Sequence, residues 1–431
     1  MSILYKNIFR LSKKALIYML RKIWRLIPKF VRYRFVRHTL PKLRQFLENR
    51  HIAKPAKYRP TDVNAPLVVA GSFSTASGLG EAARGTYWAL KKAGLSPIAV
   101  DLSSHIAPLN YSSSIPTRPM PPDEKGTLIM QVNGPETISA LRHLGLVRGR
   151  KWYTIGYWAW ELPDFPTGWD IAFPYLSEIW TISEFSSAAL RKHPNAPKVT
   201  VFGHAISPPK HIERNRMQFS LPEDAFVFLT MADSMSSFQR KNPFAAIAAH
   251  KQAFGNDPAR ILLVKTHKLE NTSMSIRNLN AYIGDAQNIR LLSATLSDKK
   301  RWELLQSVDS IVSLHRSEGF GLVIAEAMAL GKPVIVTGWS GNMDFTDTEN
   351  AYLVNMKLIP CEDEYGVYLS TDSHWADVSI DHASQIFKTV VKDARNNGKR
   401  IAAAYQTIQE RANINSIGQA MSDHLQQIPR R

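Results

Sequence analysis

The sequence predicts an α/β protein of two doubly wound parallel-sheet domains preceded by a basic helical extension, and three observations lead to that class. At 431 residues the chain exceeds one ordinary domain, and its 44% apolar content suffices for two cores. From residue 67 onward, short apolar runs alternate with helical segments, the pattern of parallel sheets whose ligands lie at strand carboxyl ends. The charge is also unevenly placed. Residues 1–60 hold 17 Lys and Arg against one acid, Glu48, whereas the remaining 371 residues hold 37 bases and 35 acids.

The basicity therefore belongs to an N-terminal arm, residues 1–60. At about 100° per residue, Leu4, Ile8, Leu11, Ala15, Tyr18 and Met19 fall on one helix side. Lys6, Arg10, Lys13, Lys14, Arg21 and Arg25 gather on the other, until Pro28 interrupts. No uncharged run here approaches the roughly 20 residues needed to span a bilayer, and no secretory signal is expected. A basic amphipathic helix carrying Trp24 and Phe30 suits an anionic membrane surface. Nucleic acid is a rival that is not preferred, and a disordered tail or a helix packed on its own protein are the plainer readings. The expected location is cytoplasmic, peripheral on the inner face of the cytoplasmic membrane. A single cysteine, Cys361, excludes a disulfide within the chain and is consistent with a reducing compartment. No C-x-x-C, HExxH or histidine cluster at metal spacing is present, so neither a protein-held metal nor a cofactor is expected.

Residues 61–207 are assigned to the first domain. Its opening strand, Leu67 to Ala70, leads into GSFSTASGLGE, where Gly78, Leu79 and Gly80 let backbone approach a ligand, and Glu81 is expected to begin a helix running to about Lys92. A plain strand-to-helix turn is the alternative. Further strands are expected at Thr127–Val132, Tyr153–Trp158, Ile179–Ile182 and Val199–Phe202. The end of the third of these five strands carries Trp158-Ala159-Trp160-Glu161, where indole and carboxylate suit a sugar face and its hydroxyls, unless the tryptophans are core. His204, ending the last strand, reads as structural.

A hinge near Ser207-Pro208-Pro209 introduces the second domain, residues 208–405, and residues 406–431 form a final helix. Strands are expected at Phe226–Leu229, Ile261–Val264, Ile289–Leu292 and Ser310–Leu314. After the first of these, Arg240 and Lys241 precede a helix start. Two cations there oppose the helix dipole unless an anion joins them, so an anion-binding role competes with a solvated helix start. Lys265 and His315 end two of the strands and could reach a nucleotide.

The densest signal is EGFGLVIAE, Glu318 to Glu326, set between the buried strands Ser310–Leu314 and Val334–Val336. Glu318 follows a strand end, and the amides of Gly319, Phe320, Gly321, Leu322 and Val323 open a helix that favours phosphate. Glu326 lies about two turns on. A phosphate seat flanked by two hydroxyl-accepting carboxylates describes a nucleotide-sugar site.

With SLHRSEGFGL, AEAMALGKPVI and SGNMDF around it, this run resembles the E-x7-E motif of retaining GT-B glycosyltransferases of the GT4 family (glycosyl transferases group 1), bacterial mannosyltransferases among them. The resemblance covers residues 65–425 and implies two Rossmann-like domains facing a central cleft, with the last helix returning to the first domain. It implies transfer of a sugar, mannose-type hexose first, from a nucleoside diphosphate to a saccharide or lipid-linked saccharide. Arg240 and Lys241 would neutralise the diphosphate, Glu318 with the Gly319–Gly321 backbone would hold the donor sugar, and Glu326 the ribose; Lys265 would add a donor contact. Many relatives carry a histidine where this chain has Trp160-Glu161, which puts Glu161 in the catalytic group. In many, too, the diphosphate-binding arginine belongs to a Gly-Arg pair where this chain reads Ala232-Asp233-Ser234. The other readings are a GT-B relative that epimerises or phosphorolyses sugars, a silent nucleotide-sugar-binding protein, and an adaptor for membrane or nucleic acid that works through its basic arm.

Overall fold

Two six-stranded parallel sheets account for most of Ala53–Arg431, which form one compact unit. The computed structural model describes residues 52–62, 64–106, 111–123, 125–146, 151–232, 237–267, 274–363, 368 and 373–430. Nearly all of the basic arm, and the Asp233-Ser234 pair, lie outside the described residues. The first sheet contains β1 (Leu67–Gly71), β2 (Pro97–Asp101), β3 (Lys125–Gln131), β4 (Lys151–Trp158), β5 (Glu178–Thr181) and β6 (Val199–Val201) in the order β2-β1-β3-β4-β5-β6. The second contains β7 (Phe226–Met231), β8 (Arg260–Thr266), β9 (Ile289–Ser293), β10 (Ser310–Ser313), β11 (Val334–Thr337) and β12 (Tyr352–Val354) in the order β12-β11-β10-β7-β8-β9. A separate antiparallel hairpin joins β13 (Met356–Pro360) to β14 (His374–Val378).

The strands are apolar because helices cover both faces of a parallel sheet. β1 and β11, with sequences LVVAG and VIVT, are buried along their whole length. The helices used below are α1 (Gly78–Lys92), α2 (Gly134–His143), α3 (Glu184–Arg191), α4 (Pro243–Phe254), α5 (Met274–Ile283), α6 (Asp298–Ser307), α7 (Leu322–Ala329), α8 (Ile380–Asp393), α9 (Gly398–Arg411) and α10 (Ile414–Gln427). Four begin at a serine whose hydroxyl accepts a first-turn amide: Ser77 for α1, Ser183 for α3, Ser297 for α6 and Ser379 for α8. Ser77 moves the start of α1 to Gly78, three residues before the expected Glu81.

Each sheet reverses strand order once, beside β1 in the first and between β7 and β10 in the second. Ligand crevices of doubly wound sheets lie at such points, beyond the strand carboxyl ends. The chain crosses between lobes at residues 202–225 and again between α9 and α10. The two crossings touch, because the Ile206 amide donates to Ala412 O at 2.7 Å.

Helix α10 packs on α1 of the first lobe. A Cβ at Gly418 would stand 2.1 Å from Ala89 O, so only glycine allows this approach. His424 Nε2 also lies 3.0 Å from Glu178 Oε2, a carboxylate buried at the edge of β5.

Candidate functional site

The second sheet's reversal brings together two loops from distant parts of the chain. After β7, the helical turn Phe238–Lys241 ends at Asn242, whose left-handed φ of 50° and side-chain acceptor start α4. After β10, the chain runs through Arg316 to Glu318, and the Arg316 amide donates to Arg240 O at 2.7 Å. Arg240, Lys241 and Glu318 thereby meet. Lys241 Nζ is 2.5 Å from Glu318 Oε1, and Arg240 Nη1 is 3.2 Å from Oε2. Arg240 Nη1 also donates to Ser317 O at 2.7 Å.

Glu161 completes the group from the other lobe, its Oε1 3.9 Å from Arg240 Nη2. The two lobes are close-packed here. Ser317 Oγ donates to Glu161 O, and a Cβ on Gly319 would meet Trp160 O at 3.0 Å.

Environment separates the two carboxyls. Burial alone would raise the Glu318 pKa, but Lys241 and Arg240 outweigh it and bring it down to about 2. Burial raises Glu161, with Arg240 opposing and Glu318 adding to the rise. Glu318 is therefore a fixed anion at neutral pH, whereas Glu161 is the carboxyl in this group that most readily takes a proton.

Backbone strain collects around the same residues. Among the described residues, four other than glycine have positive φ, and three of them flank the site: Ser237 at 65°, Asn242 at 50° and Ser340 at 78°. Ser340 Oγ accepts from the Glu318 amide at 2.9 Å, and the Gly341 amide donates to Glu318 O at 2.9 Å. A Cβ at Gly341 would fall 2.0 Å from Gly319 O. Gly341→Ala is expected to displace Glu318, lowering turnover at least tenfold at a stability cost of about 1–3 kcal/mol. Steady-state assay beside thermal melting checks both figures.

Gly78, Leu79 and Gly80 form the first turn of α1 rather than a loop. Gly80 is required, since a Cβ there would stand 2.3 Å from Thr75 O. Gly78 faces the start of α7 across the cleft, with its Cβ position 3.8 Å from Leu322 Cδ1. Gly321, at φ 96°, starts α7 without a side-chain cap. Leu322 and Val323 form its first helical turn. The helix thus opens at Leu322, three residues after Gly319.

Several sequence expectations require correction. Trp158 is fully buried, stacked on Phe173 at 5.9 Å, and Trp160 packs on Trp169 while its indole N–H donates to Asp164 O. Neither ring offers a face to a sugar. Phe320 is packed against His204 at 5.0 Å and Phe345 at 4.9 Å, which makes its ring an anchor between lobes. His315 is fully buried and ties Trp339 O and Asn342 Oδ1, so it shapes the Ser340 loop rather than reaching a nucleotide. His204 keeps its expected structural reading and is neutral, since burial lowers its pKa to about 4. Lys265 lies inside β8, one residue before its end, paired with Met231 of β7, and is 6% exposed.

Glu326 lines the cleft, but its carboxylate is already paired there. It is 4% exposed, and its Oε2 lies 2.5 Å from Arg301 Nη1. Burial pushes its carboxyl upward and Arg301 opposes that. Arg301 sits in α6, a stretch in which the sequence shows no motif. Tyr368 was likewise silent in the sequence, yet its ring lies 5.8 Å from both the Arg240 guanidinium and the Trp160 ring. A cleft of about 420 Å³ lies between the lobes, lined by Glu81, Arg84, Tyr111, His204, Arg301 and Glu326 among others, whereas Glu161, Arg240, Lys241 and Glu318 are not in its lining.

Two facing Rossmann-like lobes with their charged groups at the second lobe's crevice make this a GT-B fold. Residues 234–360 match the family described as Glycosyl transferases group 1. No curated protein sequence matches the chain. Among solved structures, HepE of Anabaena in complex with UDP and glucose is similar at 14% identity and TM-score 0.59, over 85% of this chain and 100% of that one. A glycosyltransferase from Rickettsia africae is similar at 14% identity and TM-score 0.59, over 84% and 98% of the two chains. Sucrose-phosphate synthase from Thermosynechococcus elongatus also shares 14% identity at TM-score 0.59, over 84% and 99%.

Proposed function

We propose that the protein is a retaining glycosyltransferase that moves a hexose from a nucleoside-diphosphate sugar to a saccharide or lipid-linked saccharide. The observation that carries this is the placement of Arg240 and Lys241 on Glu318 at the second lobe's crevice, with Glu161 facing them from the first. Glu318 holds the cations at one spot and keeps acceptor capacity for donor-sugar hydroxyls. Lys241, with its side chain 23% exposed, turns its remaining ammonium donors to the diphosphate, and Arg240 adds its buried positive charge. As the bond from the anomeric carbon to phosphate oxygen breaks, negative charge grows beside them, and preorganised charge of this kind is usually the largest catalytic contribution.

The acceptor oxygen bonds to the anomeric carbon on the face the diphosphate leaves, and the departing phosphate oxygen takes the acceptor's proton. Glu161 stands where an acceptor or sugar hydroxyl would meet the first lobe. The two cations supply the charge that this scheme needs, so transfer is proposed to proceed in metal-free buffer. UDP-glucose is the first donor to try, because HepE is similar in fold and was solved with it. A mannose donor comes second. The basic arm, outside the described residues, is proposed to hold the enzyme at an anionic membrane surface. Among the described residues, no helix is long and apolar enough to cross a membrane.

The test is a panel of nucleoside-diphosphate sugars in chelator-containing buffer, read by thermal shift and by slow donor hydrolysis. One donor is expected to raise the midpoint and be hydrolysed, and Glu326→Ala to lose both. Binding without turnover would replace the transferase with a silent sugar-nucleotide binder. No shift by any donor at millimolar concentration would remove the donor site altogether.

A further inference from the structure

Six side chains, three from each lobe, form a chain of contacts across the cleft beside the donor crevice. Glu326 Oε2 of α7 pairs with Arg301 Nη1 of α6 at 2.5 Å, and Arg301 Nη2 reaches Glu81 Oε1 of α1 at 3.6 Å. Glu81 pairs with Arg84 Nη2 at 2.9 Å, and the Arg84 guanidinium lies 4.1 Å over the Tyr111 ring. The Tyr111 hydroxyl then donates to Asp298, at the start of α6. The chain of contacts crosses between lobes twice, at Arg301–Glu81 and at Tyr111–Asp298, and both second-lobe anchors belong to α6. Its first-lobe link, Glu81, follows directly on Gly78-Leu79-Gly80; one of its second-lobe ends is Glu326.

From this we infer that Arg301 is a positioning residue, which aims the Glu326 carboxylate at the donor ribose and latches the lobes through Glu81. The inference rests on the donor-site reading above. Three physical points carry it. A buried carboxylate needs a cation to stay ionised, and Arg301 is the cation that touches Glu326. The guanidinium is planar and rigid, so one side chain can bind two carboxylates at fixed separation, which a lysine does poorly. The network is also incompletely satisfied, since the Nε groups of both Arg301 and Arg84 are buried without a partner among the described residues. Such a network is a poor static brace and suits an element that rearranges as the lobes move.

Donor capture and lobe closure would then share one side chain. A ribose that hydrogen-bonds Glu326 reinforces the Arg301 contact, and Arg301 in turn draws α1 and its glycine turn over the diphosphate.

The test is a double-substitution cycle on full-length protein, measuring donor KM and kcat with the donor found above. Arg301→Leu is expected to raise donor KM at least tenfold while kcat changes less, because the ribose contact is shared by ground and transition states. Glu81→Gln is expected to raise KM several-fold, with no further loss when combined with Arg301→Leu. Arg301→Lys should recover part of the KM loss without restoring the Glu81 coupling. An unchanged KM in soluble, folded Arg301→Leu, or fully additive losses in the double variant, would overturn the inference. A wild type that binds no donor would overturn the donor-site reading instead. X-ray scattering then decides the latch separately: Arg301→Leu with Asp298→Asn should enlarge the radius of gyration, and an unchanged radius would sink it.

Discussion

Replacing Lys241 with methionine is expected to lower kcat by roughly 10²–10³-fold with the fold intact. Lys241 and Arg240 both point at Glu318, so removing one cation halves the positive charge that meets the departing diphosphate. It also leaves Glu318 with Arg240 alone, at 3.2 Å instead of the 2.5 Å contact with lysine. Methionine keeps much of the stem packing, which separates the charge effect from a cavity effect. The pH dependence gives a second readout. Glu318 titrates at about 2 in the folded protein against an ordinary 4.5, with burial raising it and Lys241 and Arg240 prevailing. Its contribution to stability is therefore complete above the unfolded value and lost as pH falls from 4.5 towards 2. In Lys241→Met the folded value rises, so less stability is present at neutral pH and the acid limb begins higher. Melting curves between pH 2 and 7 check this, and a superimposable acid limb would show that Lys241 does not hold Glu318.

The largest expected loss of stability comes from a residue with no part in the chemistry. Arg216→Met should destabilise the second lobe by about 3–5 kcal/mol. Arg216 is 2% exposed, and its Nη2 lies 2.5 Å from Asp309 Oδ2. Its Nε donates to Ser307 O at 3.0 Å and its Nη1 to Ala225 O at 2.7 Å, with Pro222 O and Glu223 O also in reach. One guanidinium thus joins the entry to β7 with the turn between α6 and β10. Asp309 in turn accepts from the Val227 amide at 2.7 Å, so removing the cation leaves a carboxylate, 32% exposed, beside the start of β7 without its ion partner. Denaturant unfolding followed by tryptophan fluorescence should show an earlier second-lobe transition, while donor KM at low temperature stays within a few-fold of wild type. A midpoint within about 0.5 kcal/mol of wild type would mean that water replaces every one of those bonds.

The strands that were legible in the sequence are those buried on both faces. Leu67–Ala70, Ile261–Val264 and Val334–Val336 have no polar positions to obscure them, and the observed strands extend these readings by three residues or fewer. Four strands gave no readable signal. β2 begins at Pro97 and ends at Asp101, β12 is three residues long, and β13 keeps Lys357, Leu358 and Pro360 exposed, so none of them presents an apolar run of strand length. β14 was hidden with its hairpin partner, since it packs on that strand rather than in a sheet core.

The site divides in the same way. EGFGLVIAE and Arg240-Lys241 were readable because a helix start, a strand end and a local pair of cations are properties of neighbours in sequence. Sequence alone therefore determined the two-sheet class, the crevice residues Glu318, Arg240 and Lys241, and the uneven charge of residues 1–60. Tertiary structure alone decided what those groups touch. It turned Trp158 and Trp160 into core, spent His315 on a loop, and placed Arg301 on Glu326 and on Glu81, 220 residues away in the chain. The reason is physical. Backbone pattern and local propensity act over a few residues, whereas the energy of a buried charge depends on whichever partner folding brings within about 4 Å.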